Sequence, residues 1–214
     1  MTLMSAPGEP FPASGFDDWA ETYDASITVD QFPFLGYSDL LERVFRLAET
    51  HAGQSVLDLG TGTGNLALPF AEAGCRLWCT DFSEAMLAKV RHKLPGARCL
   101  RYDLRDDLPM ELKRPFDRII SSHVFHHFPL AEKVRILVSL LPHLAPRGRM
   151  VLGDIAFPDR AALEQVRTSA GEAWEDEFYW LADESLRALE EAGLNARFEP
   201  VSPCAGVFVL TARE

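Results

Sequence analysis

Three glycines follow directly on a short apolar run in the stretch VLDLGTGTGN, residues 56–65. Glycine has no Cβ and adopts backbone conformations that other residues avoid, so Gly60, Gly62 and Gly64 let the backbone approach a ligand closely. The helix predicted after them would present unpaired N–H groups and the positive end of its dipole to the same point. A strand, a glycine turn and a helix in this order predict a ligand site at the end of a buried strand.

Short apolar strands alternate with amphipathic helices through most of the chain. Strands are predicted at 55–60, 76–81, 97–104, 116–122 and 147–157, and helices at 65–74, 84–94 and 130–146. This alternation predicts an α/β fold with a doubly wound, mostly parallel sheet and right-handed crossovers. Residues 195–202 and 205–213 are two further strands with a short connection between them. We therefore expect an antiparallel C-terminal hairpin at the edge of the sheet.

The length of the chain and its composition predict one domain. The 214 residues suffice for a single domain at 16–214, behind a flexible leader at 1–15 that is rich in Pro, Gly and Ser. Its expected parts are N-terminal helices at 16–51 (16–27 and 34–51), a core at 52–157, a helical region at 158–193 (159–170 and 172–193) and the hairpin at 194–214.

The net charge and the spacing of the cysteines indicate which kinds of partner and which cellular compartment to expect. A net charge of −11 argues against a broad surface for polyanions, since phosphate contacts require Lys and Arg. The chain shows neither an apolar run of the roughly 20 residues that span a bilayer nor a secretory signal. The four cysteines form no CxxC pair and are expected to be reduced thiols. We expect a cytoplasmic protein with a small-molecule partner and no nucleic-acid or membrane partner; the oligomeric state stays open, a homodimer being compatible with the sequence.

An acid inside the first strand narrows the choice of ligand. A dinucleotide fingerprint requires the spacing G-x-G-x-x-G, whereas Asn65 stands where its third glycine belongs. Asp58 precedes the turn by two residues, and at about 5–6 Å its carboxylate would repel a pyrophosphate by a few kcal/mol. A structural acid that caps the turn is the alternative reading. We interpret Asp58 as the partner of a cationic ligand.

The stretch VLDLGTGTGN resembles the first motif of the class I S-adenosylmethionine (SAM) dependent methyltransferases. The resemblance implies a Rossmann-like methyltransferase fold and SAM as cofactor, held by Gly60, Thr61 and Gly62, with Asp58 on the amino-acid side. Asp81, 23 residues after Asp58, stands where the family has an acid that accepts both ribose hydroxyls. Phe82 stands where a residue flanks the adenine.

Three more segments carry the resemblance. In RYDL, the family often has an acid that accepts the adenine amino group, here Asp103, with the backbone of Leu104 alongside. The segment FDRIISSHVFHHF is similar to a pattern D-x-I-x-S-x-x-x-x-H-H that borders the methionine part of SAM and includes Ser121. The leader FDDWAETYD is similar to one that places a tyrosine, here Tyr23, over the cofactor as part of an N-terminal helical lid. Met86 completes the implied set of cofactor contacts.

Three histidines within five residues are candidates for the chemistry. On a helix, His123 and either His126 or His127 would share a face as a metal pair, but that stretch holds no acid as a third ligand and no thiolate, so we predict no metal. An imidazole with a pKa near 6.5 suits proton removal at neutral pH. We predict His126 as a general base facing the pocket, with His123 as the second candidate.

An aromatic stretch, EAWEDEFYWLADES, allows two interpretations. Trp174, Phe178, Tyr179 and Trp180 form either a substrate lid or the apolar face of a helix that packs on the sheet. The interleaved acids, 175–177, are predicted to be a solvated face.

The predicted reaction is transfer of the SAM methyl group to a small-molecule acceptor by in-line displacement, giving S-adenosylhomocysteine (SAH). Other SAM-using group transferases on this fold, an NAD-dependent oxidoreductase and a non-catalytic SAM-binding module are the alternatives. The intact SSHVFHH segment favours an enzyme. The sequence does not identify the acceptor, or whether N, O, S or C is methylated.

Overall fold

A central sheet organises the chain in the computed structural model, which describes residues 17, 20–28 and 31–213. The predicted leader at 1–15 lies outside these residues, as does part of the predicted helix at 16–27. The strands of the described ranges are β1 Ser55–Leu59, β2 Arg76–Asp81, β3 Arg98–Arg101, β4 Phe116–Ser122, β5 Leu144–Phe157, β6 Trp180–Leu181, β7 Leu194–Ser202 and β8 Ala205–Ala212. The helices there are α1 Tyr23–Ser26, α2 Tyr37–Ala48, α3 Ala67–Glu72, α4 Glu84–Lys93, α5 Leu130–Leu140, α6 Arg160–Ala170 and α7 Ala182–Glu191.

The strand order is β3-β2-β1-β4-β5-β8-β7, with β6 paired to β5 beside this path. The strands from β1 to β6 pair in parallel, whereas β8 is antiparallel to both β5 and β7. The predicted mostly parallel sheet with an antiparallel hairpin at its edge is confirmed. The strand order reverses between β1 and β4, and ligands of such sheets bind in the crevice beyond the carboxyl ends at this point.

Helices cover both faces of the sheet. Because successive side chains of a strand point to opposite faces, Leu57 belongs to one apolar cluster and its neighbour Val56 to another. Helix α5 packs on the Leu57 side, and α2 packs on the Val56 side through Val44. At Gly153 of β5 a Cβ would lie 2.7 Å from Val44 Cγ2, so glycine permits this close approach.

The aromatic stretch departs from the prediction. The helix predicted at 172–193 begins only at Ala182, and residues 174–179 follow no regular structure. Trp180 and Leu181 pair with Ala156 and Phe157 of β5 instead. Tertiary contacts override helix propensity here, since Trp180 is fully buried in the core and the backbone around it is held by the sheet.

Smaller differences concern the ends of elements. Strand β3 ends at Arg101, so Asp103 follows the strand instead of closing it. Ser83 caps α4, its Oγ accepting a hydrogen bond from Met86 N at 3.1 Å. Over the described ranges, the helices are too short or too polar to cross a membrane, and the four cysteines, which all lie there, are free thiols.

Candidate functional site

In the glycine turn after β1, Gly60 and Gly62 have different surroundings: the first packs against protein and the second faces open space. Gly60 and Gly62 both have positive φ, 64° and 54°. A Cβ at Gly60 would lie 2.4 Å from Val124 Cγ2, so this glycine lets the turn pack against the loop after β4. At Gly62 a Cβ would meet no atom of the described residues within 4 Å. The turn therefore leaves open space beside Gly62, where a ligand could contact the backbone.

Asp58 is a buried carboxylate in which only one of the two oxygens has a hydrogen-bond partner among the described residues. The residue is 1% exposed, and its Oδ2 accepts a hydrogen bond from Thr61 Oγ1 at 2.6 Å. Its Oδ1 is buried and has no hydrogen-bond partner among the described residues. Burial, with the negative charge of Asp81, raises the pKa of Asp58 to about 7. A cationic ligand at this oxygen would supply the missing partner and favour the ionised form.

Asp81, at the end of β2, lies against the same turn. Its Oδ2 accepts a hydrogen bond from Gly62 N at 2.9 Å, and its Oδ1 accepts one from Ser83 N at 2.9 Å. The residue is 5% exposed, and burial raises its pKa to about 6. The structure thus brings Asp58, Thr61, Gly62 and Asp81 together at the switch point of the sheet.

Two predicted residues line a separate cleft beside β3. Phe82 and Asp103 lie at the wall of a cleft of about 490 Å³. The carboxylate of Asp103 pairs with Arg105, Nη2 to Oδ2 at 2.5 Å, and these hydrogen bonds lower the pKa of Asp103. Phe82 comes directly after Asp81, the last residue of β2, so the cleft lies next to the end of that strand. Its wall offers a ligand the aromatic ring of Phe82 and the carboxylate of Asp103 as a hydrogen-bond acceptor.

Three predicted cofactor residues, Met86, Leu104 and Ser121, are buried, and a fourth, Tyr23, is half-buried. Met86 and Leu104 are 2% and 7% exposed. Ser121 donates its hydroxyl to Leu59 O at 2.7 Å, which fixes β4 against β1. Tyr23 lies near Tyr37, and burial raises its pKa. These side chains shape the crevice by packing.

The described part of the N-terminal segment lies over the glycine turn. Asp24 accepts hydrogen bonds from Thr63 Oγ1 at 2.6 Å and from Asn65 Nδ2 at 3.0 Å. Its carboxylate also lies 3.6 Å from Lys93 Nζ. Asn65, which breaks the dinucleotide spacing, therefore connects the turn to the segment that precedes the sheet.

His126 is held by a buried acid that the sequence analysis missed. His126 lies in a 3₁₀ turn, Phe125–His127, after β4 and is 6% exposed. Its Nδ1 lies 2.5 Å from Asp154 Oδ1, and its backbone N–H donates to Asp154 Oδ2 at 2.9 Å. Trp180 Nε1 donates to the same Oδ2 at 2.9 Å. Burial opposes ionisation of Asp154, but the charge and hydrogen bond of His126 hold its pKa well below the usual range.

Glu177 lies against the same turn, which corrects the prediction of a solvated face for that residue. Its Oε1 lies 3.0 Å from His127 Nδ1, and its Oε2 lies 3.6 Å from His126 Nε2. Phe178 N donates to His126 O at 2.9 Å, and this backbone bond brings the aromatic stretch over the histidines. A lone acid inside the apolar run MVLGDIAF was a signal for Asp154, whereas the sequence contains no comparable signal for Glu177.

His123 lies between this cluster and the N-terminal segment. Its ring centroid is 5.0 Å from that of Tyr37 and 6.4 Å from that of His126. The residue has a φ of 53° at the end of β4, and its Nδ1 is buried without a hydrogen-bond partner among the described residues. Burial lowers the pKa of His123 to about 4, so its imidazole is neutral at pH 7.

A buried lysine completes the cluster. Lys133 of α5 donates from Nζ to Phe178 O, and the same nitrogen lies 4.1 Å from the ring centroid of Trp180. Burial lowers the pKa of Lys133 to about 8, against the charges of Asp154 and Glu177. The cluster therefore brings together two acids, three histidines and a lysine at the carboxyl ends of β4 and β5.

Comparisons with known proteins agree with this architecture. Residues 56–148 match the family described as methyltransferase domain. An uncharacterised methyltransferase of Geobacillus kaustophilus is 33% identical over 198 residues, which cover 86% of this chain and 88% of that protein. The uncharacterised methyltransferase YrrT of Bacillus subtilis is 32% identical over 176 residues, 79% of this chain and 78% of that protein.

Solved structures show the same fold. A DhpI–SAM–HEP complex matches with a TM-score of 0.70 and 22% identity, over 92% of this chain and 94% of that one. The SAH-bound magnesium protoporphyrin IX methyltransferase ChlM of Synechocystis PCC 6803 matches with a TM-score of 0.71 and 20% identity, over 94% of this chain and 95% of that one. With the sequence relatives, these matches show that the chain belongs to the class I SAM-dependent methyltransferases.

Proposed function

We propose that this methyltransferase transfers the methyl group of SAM to a small-molecule acceptor by in-line displacement. The observation that carries the proposal is the buried Oδ1 of Asp58, which has no partner among the described residues. The glycine turn that follows Asp58 in the chain leaves open space at Gly62. SAM is a cation with an ammonium and a sulfonium, so it fits a site with two buried acids and an open backbone turn. In this assignment Asp58 faces the amino-acid part.

The remaining cofactor contacts follow from the order of the strands. Asp81 would accept the ribose hydroxyls, since it ends β2 next to the turn. Phe82 and Asp103 would hold the adenine, which the cleft of about 490 Å³ beside them has room to accept. The N-terminal residues, 16–51, would act as a lid; the hydrogen bonds of Asp24 to the turn support that role.

The reaction makes few demands on protein groups. When bound, SAM would supply a methyl group on a sulfonium sulfur: the acceptor atom would donate an electron pair to the methyl carbon as the C–S bond breaks, and the leaving group would be the neutral thioether SAH. A proton on the acceptor atom leaves to a base or to solvent. Holding acceptor, methyl and sulfur collinear in a dry site is worth up to about 7–11 kcal/mol.

His126 is the group that we assign to activation of the acceptor. In the neutral imidazole that donates its Nδ1 proton to Asp154, the lone pair is on Nε2. Burial opposes protonation of His126, but the charge and hydrogen bond of Asp154 raise its pKa, which makes Nε2 a stronger base. His123 lies on the side of Tyr37 and, being neutral, can accept a hydrogen bond from the acceptor at its unpartnered Nδ1. The net charge of −11 supports a small molecule over a nucleic acid as acceptor.

Calorimetric titration with SAM tests the cofactor assignment. We expect saturable one-to-one binding, a loss of at least about tenfold in affinity in Asp81→Ala, and unchanged affinity in Asp39→Ala, an exposed acid of α2. Equal affinity in Asp81→Ala and wild type would reject the assignment. Incubation with methyl-labelled SAM and a fractionated metabolite extract then identifies the acceptor; label found only in nucleic acid or protein would reject a small-molecule acceptor.

A further inference from the structure

We propose that His126, His127 and Glu177 form a binding site for a divalent transition-metal ion of the Zn²⁺ type. The donor atoms of these side chains all lie within 4.8 Å of one another. Two histidine nitrogens and one carboxylate leave a fourth, open position, which is the arrangement of catalytic zinc sites. The sequence predicted no metal because the histidine stretch lacks an acid; the fold supplies one from about 50 residues further along the chain.

The distances suit coordination with small adjustments. Ligand atoms about 2.0–2.1 Å from a tetrahedral ion are roughly 3.3 Å apart. Glu177 Oε1 lies 3.0 Å from His127 Nδ1, and Glu177 Oε2 lies 3.6 Å from His126 Nε2. Each separation is within a few tenths of an ångström of that value, although the two involve different oxygens of the carboxylate. The Glu177 carboxylate thus lies between the two imidazoles, with one oxygen near each, and one ligand atom from each of the three residues lies within 4.8 Å of the others.

Asp154 gives His126 the outer partner that metal-ligating histidines usually have. Such histidines almost always donate their second N–H to a carboxylate, carbonyl or water, which fixes the ring and raises its basicity. Here Nδ1 of His126 lies 2.5 Å from Asp154 Oδ1. The Asp154 carboxylate also accepts hydrogen bonds from Trp180 Nε1 and from the backbone N–H of Ile155. The free nitrogen, Nε2, is the one that faces Glu177.

The site is built on packed backbone and is reachable. The bond from Phe178 N to His126 O and the burial of Trp180 keep Glu177 over the histidine turn. Glu177 also lines a cleft of about 260 Å³, so an ion can reach the carboxylate from one side. The side chains of His127 and Glu177 are 28% and 27% exposed.

The charges around the site favour an anionic fourth ligand. Asp154 and Glu177 contribute two negative charges and Lys133 one positive charge, so a divalent ion on neutral histidines leaves the cluster with a net charge of +1. An ionised thiol or hydroxyl group in the fourth position makes the cluster neutral. This part of the inference rests on the proposed function: with His126 Nε2 as a ligand, the ion would take over from the imidazole the activation of an acceptor X–H group in the fourth position, by lowering the pKa of that group so that its proton leaves to solvent.

Titration of the chelator-treated full-length protein with Zn²⁺ and with Co²⁺, in the absence of SAM, tests the site. We expect one ion per chain, a loss of tenfold or more in affinity in Glu177→Gln, and a Co²⁺ spectrum with visible bands but without the intense near-ultraviolet band of thiolate ligation. Glu175→Gln and His92→Gln, both exposed, are the matched controls and should bind as wild type does.

Absence of one-to-one binding, equal affinity in Glu177→Gln, or a thiolate band would overturn the metal site. A circular dichroism spectrum of each variant establishes that it folds; Glu177 is part-exposed, so its replacement by Gln keeps the packing. SAM titration of the metal-free protein tests the cofactor assignment separately from the metal site. Loss of SAM binding alone rejects the cofactor assignment, and loss of metal binding alone rejects this one.

Discussion

At the scale of single residues, Asp58 destabilises the folded protein when it is ionised without a ligand. Its pKa is raised to about 7 by burial, whereas an aspartate in an unfolded chain titrates near 3.9. The folded state therefore keeps a proton that the unfolded state releases. The stability from this group is fully present below the unfolded pKa and is lost as the pH rises to about 7.

This predicts a variant that is more stable and binds less well. In Asp58→Asn the neutral amide replaces a buried carboxylate, so the melting temperature of the ligand-free protein at pH 8 should rise by roughly 5 °C. The gain should be smaller at pH 5, because wild-type Asp58 is then protonated in the folded state. SAM affinity should fall about 10- to 100-fold. Scanning fluorimetry at both pH values and calorimetry measure these effects.

The exposed Asp39→Asn is the control and should change neither quantity. A melting temperature for Asp58→Asn at or below that of wild type at pH 8 would mean that the carboxylate has a favourable partner in the ligand-free protein. The pKa of Asp58 would then not be raised.

Asp154, unlike Asp58, should stabilise the folded protein. It accepts hydrogen bonds from His126 N and Trp180 Nε1 and pairs with the His126 ring, so Asp154→Ala leaves buried polar groups without partners. Removing one member of a buried pair costs about 3–5 kcal/mol. Asp159→Ala, which removes only an exposed cap of α6, should cost about 1 kcal/mol. Urea unfolding of both variants measures the difference; equal losses would show that the Asp154 network adds no more stability than an exposed helix cap.

The acids show what sequence reasoning can and cannot find at this scale. Asp58 and Asp81 stand out because a carboxylate inside or at the end of a buried strand is costly unless it has a partner. Asp154 carries the same signal, since it is the one acid inside the apolar strand sequence MVLGDIAF. Glu177 carries none, since its neighbours Glu175 and Asp176 are also acids and only packing makes one of the three touch a histidine.

At the scale of elements, sequence periodicity predicts the regular strands well but does not predict the irregular stretch that packs on them. Strands β2 and β4 were predicted at their observed bounds, because each is a short apolar run between clear breaks. The stretch at 174–181 reads as a helix by its spacing. In the folded chain its aromatic rings pack on other elements, Trp174 on Phe32 at 4.9 Å between centroids, which no local pattern encodes.

The N-terminal segment is predicted to contribute to SAM affinity as an element. Asp24→Ala removes the acceptor of Thr63 Oγ1 and Asn65 Nδ2, so the segment should separate more easily from the glycine turn. We expect a SAM dissociation constant about three- to tenfold higher and faster limited proteolysis in the segment. The overall stability should change by no more than about 1 kcal/mol.

Glu21→Ala is the matched control for Asp24→Ala. It removes an ion pair with Lys89 from a side chain that is 78% exposed, and such exposed pairs add little to stability. If Asp24→Ala bound SAM as tightly as Glu21→Ala, the segment would not act as a lid.

At the scale of the whole molecule, two of the acids that we assign to SAM, Asp58 and Asp81, lie on adjacent strands of one continuous sheet. Asp58 stands in β1, which pairs with β2 and β4, and the sheet extends from there to β7. A ligand at this point bridges elements on both sides of the reversal in strand order. Binding should therefore stabilise the whole sheet and not one part of it.

SAM should accordingly raise the temperature of a single unfolding transition. At a free concentration 100 times the dissociation constant, binding to the folded state alone adds about 2.7 kcal/mol, which corresponds to a rise of roughly 5–10 °C for a chain of this size. NAD should leave the transition unchanged, because Asp58 repels a pyrophosphate. Differential scanning calorimetry with each ligand tests this; a shift with NAD, or a second transition that SAM does not move, would contradict the view that one sheet holds one cationic cofactor.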